Sequence, residues 1–387
     1  MKKSKKILLA ASVVSIFIGV SMILGAWRAL CHNAADAVAG LEFEEKHLII
    51  TDSFTNIHIS TGNSSIELLP SSDGVCHIVC QDSEKLYYQI SVTESVSGSQ
   101  LNINQVDGRQ WYEMPYGLFQ EYNLSLQVYL PEAEYALLHT DSGSGDITIA
   151  PDFCFQTAYL NTTSGNTALT ALHSNYLTVS SSSGDLILRS VEASEDINLE
   201  TTSGFIQVEN LTAANVTTAS SSGTTVLECV SSDYLRATAV SGDVHVREGN
   251  FMDTSYFESS NGNIEIVGSE CGEQTAQTIS GKVTLQNVGG KSLNAGTSSG
   301  AILIENSRYS GNLLCRTTSG EIMFTGADAG TLELMSSSGD ISGDLLSSKN
   351  FIAETSSGFV SIPPSHEESG TCHVSTVSGN ISITITS

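Results

Sequence analysis

Short apolar alternations flank a glycine that returns along the chain at a fixed interval. From Gly145 to Gly379 a Ser-Gly or Asn-Gly dipeptide recurs thirteen times in one register, and successive glycines are 19 to 21 residues apart. Such a period is the signature of a stacked solenoid. The repeating glycines are Gly145, Gly165, Gly184, Gly204, Gly223, Gly242, Gly262, Gly281, Gly300, Gly320, Gly339, Gly358 and Gly379.

The apolar positions predict two short strands in each repeat. Residues two and four positions after the glycine are apolar, as in Ile206 and Val208, and residues seven and five positions before it repeat the pattern, as in Leu177 and Val179. A period of two with β-branched residues indicates a strand with one buried face. A third apolar point seven residues after the glycine, such as Val191, closes the predicted cross-section.

The two strands are expected to meet at a Ser-Gly corner. Glycine suits this corner because it can adopt a positive φ and because it allows the backbone of the next turn to approach closely. The predicted fold is therefore all-β: a single-stranded parallel β-solenoid of about 13 coils of 19–21 residues, preceded by a β-rich leader and an N-terminal transmembrane helix. At ~4.8 Å per turn the rod is roughly 58 Å long.

Two other folds fit the pattern poorly. A helix would place the apolar residues on several faces, and each regularly spaced glycine would cost roughly 1 kcal/mol relative to alanine. A β-sandwich uses alternating strands, but it requires no fixed repeat.

The first thirty residues predict export. Four lysines precede a largely apolar run from Ile7 to Trp27 that ends at Arg28, which is long enough to span a bilayer with the amino terminus in the cytoplasm. Cleavage at Ala37-Val38-Ala39 is the alternative. We expect a single-pass cell-membrane protein with an extracytoplasmic C-terminal domain. The predicted regions are a basic tail and anchor (1–30), a linker (31–40), a β-rich leader or cap (41–140) and the solenoid (141–387).

The exported part is strongly acidic. All 42 acidic residues lie at or beyond Asp36, and five of the 16 basic residues lie at or before Arg28, which leaves 11 basic residues against 42 acidic ones, a formal charge of −31. Nucleic acid is excluded as a partner because binding phosphates requires a basic surface. Cationic partners are favoured, and acidity also keeps a strand-rich rod soluble.

Cysteine and histidine spacing predicts neither disulfides nor a metal site. Cys154 and Cys271 share a register but are six coils apart, too far for a disulfide, so free thiols are expected. CxxC spacing and tandem calcium-binding G-G-x-G-x-D repeats do not occur. The nine histidines have no ligand spacing in the sequence. No cofactor is predicted.

Carboxylates are the remaining candidates for catalysis. Asp141-Ser142-Gly143 resembles the core motif of aspartic proteases, but a second copy, which that mechanism needs, is missing. A polysaccharide-active β-helix enzyme is the stronger catalytic alternative, and it requires carboxylates on neighbouring turns. Only Glu321 and Asp340 are predicted to stack in this way. We therefore predict no catalytic residues.

An aromatic cluster is the candidate interaction patch. It consists of Trp111, Tyr112, Tyr116, Phe119 and Tyr122. Such residues provide a large contact area at low entropic cost, as in recognition surfaces. They can also form the core of a cap, and the sequence favours that interpretation.

Short motifs carry a resemblance to a known family. Val128-Tyr129-Leu130-Pro131, followed by Ser144-Gly145-Asp146-Ile147, resembles the bacterial adhesin-like β-strand-repeat family, a domain of unknown function that commonly follows an N-terminal membrane anchor. The resemblance covers residues 41–387. It implies an envelope-associated solenoid, and it implies, through some relatives, sensing of envelope stress and antimicrobial peptides.

The sequence thus predicts a non-catalytic cell-envelope surface protein, adhesin-like or scaffolding. The alternative is a sensor of envelope stress or of cationic antimicrobial peptides. Expected partners are an envelope or surface component, a cationic peptide or a membrane protein. The apolar strand Ile381–Ile385 near the carboxyl end has no helix to cover it, so residues 372–387 are also predicted to mediate end-to-end self-association.

Overall fold

The protein is described by a computed structural model that covers residues 44–82, 88–94, 99–107, 124–366 and 370–386. All regular structure in these ranges is β-strand. Within them, no helix has the length and apolarity needed to cross a bilayer. The predicted anchor and the aromatic patch from Trp111 to Tyr122 lie outside the described residues.

Thirty strands lie within the described ranges. The first ten are β1 Glu44–Ile50, β2 Asn56–Thr61, β3 Ser65–Pro70, β4 Cys76–Asp82, β5 Tyr88–Glu94, β6 Gln100–Asp107, β7 Ser125–Leu130, β8 Glu134–Ser142, β9 Ile147–Ile149 and β10 Cys154–Thr162. The next ten are β11 Thr167–Thr170, β12 His173–Ser181, β13 Leu186–Ala193, β14 Asp196–Thr201, β15 Ile206–Ser220, β16 Thr225–Ala239, β17 Val244–Arg247, β18 Asn250–Ser259, β19 Ile264–Val267 and β20 Glu270–Thr278. The last ten are β21 Val283–Gln286, β22 Gly289–Thr297, β23 Ile302–Glu305, β24 Arg308–Thr317, β25 Ile322–Ser336, β26 Ile341–Leu345, β27 Asn350–Thr355, β28 Val360–Ser361, β29 Thr371–Thr376 and β30 Ile381–Ile385.

Equivalent residues of successive repeats stack in parallel register, which confirms the predicted solenoid. Thr167 of β11 pairs with Ile147 of β9 on one side and with Leu186 of β13 on the other. The strands that precede the corners form a second sheet, in which β10 lies between β8 and β12. The rod has about 12 turns.

The core is a set of apolar columns that run along the rod. Ile206, Val208, Leu177 and Val179, which occupy the predicted inward positions, are fully buried. The third apolar point is also buried, as Val191 illustrates. Burial on this scale supplies the main driving force for stacking, roughly 25 cal/mol for each Å² of apolar surface removed from water.

Close approach, rather than positive φ, explains the corner glycines. Positive φ values among the described glycines occur only at Gly74, Gly268, Gly326 and Gly343, so the expectation of positive φ at the Ser-Gly corners is wrong. A Cβ on Gly223 would overlap the carbonyl oxygen of the corner glycine one turn before it. Backbones at the corner are therefore packed too tightly for any side chain.

Positive φ occurs instead at a second corner, six or seven residues after each of the ten corner glycines from Gly145 to Gly320. Most of its occupants are not glycine: Asp152, Ala171, Ser190, Asn210, Cys229, Glu248, Asn287 and Asn306, with φ between 48° and 69°. Gly268 and Gly326 complete the column. Asp and Asn tolerate the left-handed conformation, but it costs other residues with a Cβ roughly 1–2 kcal/mol. The stacked turns therefore hold Ala171, Ser190, Cys229 and Glu248 in a strained conformation.

A buried hydroxyl three residues before the glycine joins neighbouring turns. The Oγ1 atom of Thr278 accepts a hydrogen bond from the Gly281 amide at 3.1 Å and donates one to the Gly262 carbonyl at 2.9 Å. The same pair of bonds is made by Thr201, Ser259, Thr297, Thr317 and Ser336. This column explains why Ser and Thr precede the corner in almost every repeat.

At the amino-terminal end of the stack, the spatial order of the strands differs from their order in the chain. Strand β2 lies between β6 and β8, and β3 lies between β7 and β9, all in parallel register. The first turn is therefore covered by β6 and β7, which follow it in sequence. Strands β4 and β5 pair antiparallel with β7 and β6, and β1 pairs antiparallel with β4. These antiparallel strands end the regular stack.

The carboxyl-terminal end is also out of order. Strand β29 lies between β25 and β27, and β30 lies between β26 and β28. The expectation that the last strands of the chain form the open edge is wrong, because β27 and β28 lie outside them. Buried Lys349, before β27, supports this crossover: its Nζ lies 2.8 Å from Asp328 Oδ1 and donates to the Ala329 carbonyl at 2.7 Å.

Candidate functional site

Four aspartates that directly follow a corner glycine have structural partners. Oδ1 of Asp185 accepts a hydrogen bond from the Phe205 amide at 2.8 Å, one turn further along the rod. Asp146, Asp243 and Asp340 make the equivalent bond to Asn166, Asn263 and Asn380. These aspartates cap backbone groups at the corner and are separated along the rod, which is a structural role.

The thiols are also poorly suited to catalysis. None of the seven cysteines in the described ranges is joined in a disulfide. Burial raises the pKa of Cys76, Cys271 and Cys372 from 9.0 to about 12, and it raises the pKa of fully buried Cys315 further. Exposed Cys229 also has a raised pKa, because of desolvation and a hydrogen bond to Glu248. Thiols that stay protonated are weak nucleophiles and weak metal ligands.

A polar groove follows the rod beside the Ser-Gly corner. It consists of two adjoining depressions that share Thr238 and Ala239, and together their linings run along nine corners, from Thr162 to Arg316. Hydroxyl, amide and some charged side chains line it, and Ala219, Ala239, Val240, Ile279 and Leu314 add about as much apolar surface. The polar lining residues are Ser180, Ser182, Glu200, Thr202, Ser221, Thr238, Glu258, Ser260, Gln277, Asn294, Ser298 and Arg316. At ~4.8 Å per turn its eight steps span roughly 38 Å.

Outward charges pair between neighbouring turns. Arg236 Nη2 lies 2.7 Å from Glu258 Oε2, and on the other sheet His245 Nδ1 lies 2.8 Å from Glu265 Oε2. Exposed pairs of this kind contribute little stability, about 0–1 kcal/mol each. They leave most of the acidic surface uncompensated, since residues 29–387 include 42 acidic residues and 11 basic ones.

One cluster on the pre-corner sheet has metal-ligating side chains. His58 on β2 and His139 on β8 are directly opposite each other, with ring centroids 4.9 Å apart. Their Nε2 atoms lie 3.6 and 3.0 Å from Oδ2 of Asp141. The three ligand atoms lie within 4.8 Å of one another. The sequence-based expectation that the histidines stay apart is wrong for this pair, because the crossover brings together residues 81 positions apart.

The repeat region matches a known protein family. A family model described as Toastrack DUF4097 matches residues 54–267 and 252–384, which together are most of the chain. The chain belongs to this family. A search of curated proteins found no significant match. The Toastrack match agrees with the resemblance to adhesin-like β-repeats seen in the sequence.

Solved structures are similar to the chain at low identity. A "putative adhesin" from Bacteroides fragilis is 13% identical, with 89% of this chain and 97% of that chain covered and a TM-score of 0.25. A "putative lipid binding protein" from Parabacteroides distasonis is 13% identical, with 78% and 96% covered and a TM-score of 0.26. A "putative cell adhesion protein" from Clostridium sporogenes is 9% identical, with 89% and 100% covered and a TM-score of 0.18.

Proposed function

We propose that the protein is a non-catalytic, adhesin-like surface protein of the cell envelope, which binds an extended polar polymer along the groove of its rod. The observation that carries this proposal is the recurrence of hydroxyl and amide side chains in the groove from one corner to the next. A ligand with repeating hydroxyl or amide groups, such as a glycan chain, can use the same contacts at each turn.

The architecture supports repeated weak contacts. Each turn offers one or two outward polar side chains at a spacing of ~4.8 Å. Individual exposed hydrogen bonds contribute little, but linked contacts along one chain reinforce one another, because each further contact becomes intramolecular. The proposed anchor in the membrane would hold the rod at the cell surface.

The test is binding of the full-length protein to purified peptidoglycan and to mucin, measured by co-sedimentation. Gly296→Trp is the blocking variant, because Gly296 lies in the groove-forming sheet, has no positive φ, and a Cβ there would make only ordinary contacts of 3.6 Å or more. We expect this variant to lose binding while it stays folded. Thr284→Trp, which places the same side chain outward on the opposite sheet, is the matched control.

Two results would overturn the proposal. If neither polymer sediments the protein, the adhesin-like function loses its support. Binding that survives Gly296→Trp would place the contact elsewhere on the rod.

Cationic peptide sensing is the second candidate, and the exported charge of −31 favours it. Titration with a cationic antimicrobial peptide at increasing salt distinguishes the two functions. Sensing predicts binding that weakens as salt rises, because exposed charges are screened. Groove binding of a neutral glycan predicts little dependence on salt. Absence of salt-sensitive peptide binding would end the sensing hypothesis.

A further inference from the structure

We propose that His58, His139 and Asp141 form a binding site for a divalent transition metal ion, with zinc as the favoured ion. This site goes beyond the proposed function, since it requires no polymer in the groove. The cluster joins β2 to β8 at the crossover where the chain returns to the first turn.

The spacing of the three ligand atoms fits a single ion. Bonds of about 2.0 Å in a tetrahedral arrangement place ligand atoms about 3.3 Å apart. The separations between Asp141 Oδ2 and the two imidazole Nε2 atoms are 3.0 and 3.6 Å, on either side of that value. The two Nε2 atoms lie within 4.8 Å of each other, so side-chain rotations that bring the imidazoles together let both nitrogens and the oxygen reach one ion.

Neighbouring side chains already orient the carboxylate. Asn161 Nδ2 donates to Asp141 Oδ1 at 3.0 Å, and Ser180 Oγ donates to Asn161 Oδ1 at 2.7 Å. These bonds occupy Oδ1, so that Oδ2 faces the histidines. Tyr159 lies opposite His139 on the neighbouring strand β10, and the centroids of the two rings are 6.0 Å apart. Partners of this kind fix metal ligands in the geometry that an ion requires.

The chemistry of the ligands selects the class of ion. Two imidazoles with one carboxylate suit zinc and its first-row neighbours, whereas calcium and magnesium require more oxygen ligands. All three side chains are between one third and one half exposed, so a water molecule or a ligand atom from another molecule can complete a fourth position. The acidic surface attracts cations, which raises their local concentration.

A simple ion pair explains the cluster less well. One carboxylate oxygen faces two imidazole nitrogens, and the two rings, tilted by 36°, have their centroids 4.9 Å apart. Charging both rings would place like charges side by side. A shared divalent ion satisfies both nitrogens and the oxygen at once.

The experiment is calorimetric titration of the full-length protein with zinc chloride, at high salt and with excess magnesium to suppress diffuse binding to the acidic surface. We expect one zinc ion per chain. His139→Ala and Asp141→Asn should weaken binding by far more than tenfold, and Asn161→Ala by about tenfold through loss of carboxylate orientation. His245→Ala, which removes a histidine paired with Glu265 alone, should leave binding unchanged.

A second readout separates coordination from nonspecific binding. Cobalt(II) in place of zinc should develop visible absorption in the native protein and lose it in His139→Ala. All four replaced side chains are outward, so circular dichroism should show each variant folded. The proposal is overturned if zinc does not bind under these conditions, if His139→Ala binds as the native protein does, or if His245→Ala alone abolishes binding.

Discussion

Replacing threonine by valine at two buried positions of the rod should give effects of opposite sign. Thr278 lies in the hydroxyl column at the corner, and Thr225 lies in the apolar column of the other sheet, where the hydroxyl has no partner. Both residues are buried, with exposed fractions of 6% and 0%. The substitution keeps the shape and removes one hydroxyl group in each case.

The hydrogen bonds set the magnitude. Thr278→Val leaves the Gly281 amide and the Gly262 carbonyl buried without partners, and each unsatisfied group costs about 1–3 kcal/mol. We expect a loss of about 2–4 kcal/mol in the free energy of unfolding. Thr225→Val removes a buried hydroxyl that makes no hydrogen bond, so it should stabilise the protein by about 1 kcal/mol or more.

The assay is chemical denaturation followed by far-ultraviolet circular dichroism, with both variants compared to the native protein at one temperature. Long repeat arrays can unfold in several steps. Amide hydrogen exchange in the strands that flank each substitution is therefore measured as well as the denaturation midpoint, because it reports the local stability of those turns. Equal destabilisation by the two substitutions would refute the reasoning. It would mean that the hydrogen bonds of the corner hydroxyl add no stability beyond that of a buried hydroxyl without a partner.

Two further predictions concern the second corner and the thiols. Gly268→Ala should lower the free energy of unfolding by about 1 kcal/mol, because the φ of Gly268 is +64°. Gly296→Ala should raise it by about 0.5 kcal/mol, because φ at Gly296 is not positive and the added methyl group makes only ordinary contacts. Thermal melts of the two variants measure both effects. Because burial raises the pKa of Cys76, Cys271 and Cys372 to about 12, these thiols stay protonated when folded, while the unfolded chain ionises near 9. Stability should be independent of these thiols below pH 9 and fall as pH rises toward 12, and Cys372→Ala should make the denaturation midpoint less sensitive to pH in that range.

Sequence periodicity predicted the turns because every turn places its buried residues at the same distances from the corner glycine. Ile206 and Leu177 could be placed inside the rod from their distance to a glycine alone. The hydroxyl column was visible as a composition bias, but its hydrogen bonds depend on how adjacent turns stack. Positive φ at Glu248 or Ala171 leaves no mark in the sequence, since packing imposes it on residues that do not prefer it.

The order of turns at the two ends could not be read from the repeat. Periodicity identifies a segment as a turn, but it does not say which turn lies next to it. Strand β8 therefore pairs with β2 across 81 residues, and β29 inserts before β27. The cluster of His58 with His139 depends on that crossover, which is why spacing along the chain did not reveal it.

Distances between spin labels on equivalent outward positions test the stacked rod most directly. Cys31, Cys154 and Cys229 are first replaced by serine, so that their thiols do not take up label. Pulsed electron–electron double resonance is then measured with one label at Thr148 and the other at Thr284 or Ser342. The pairs are seven and ten turns apart in the parallel register. The solenoid predicts separations of ~34 and ~48 Å, which increase by ~4.8 Å per turn. Distances that fail to grow with the number of turns would contradict it.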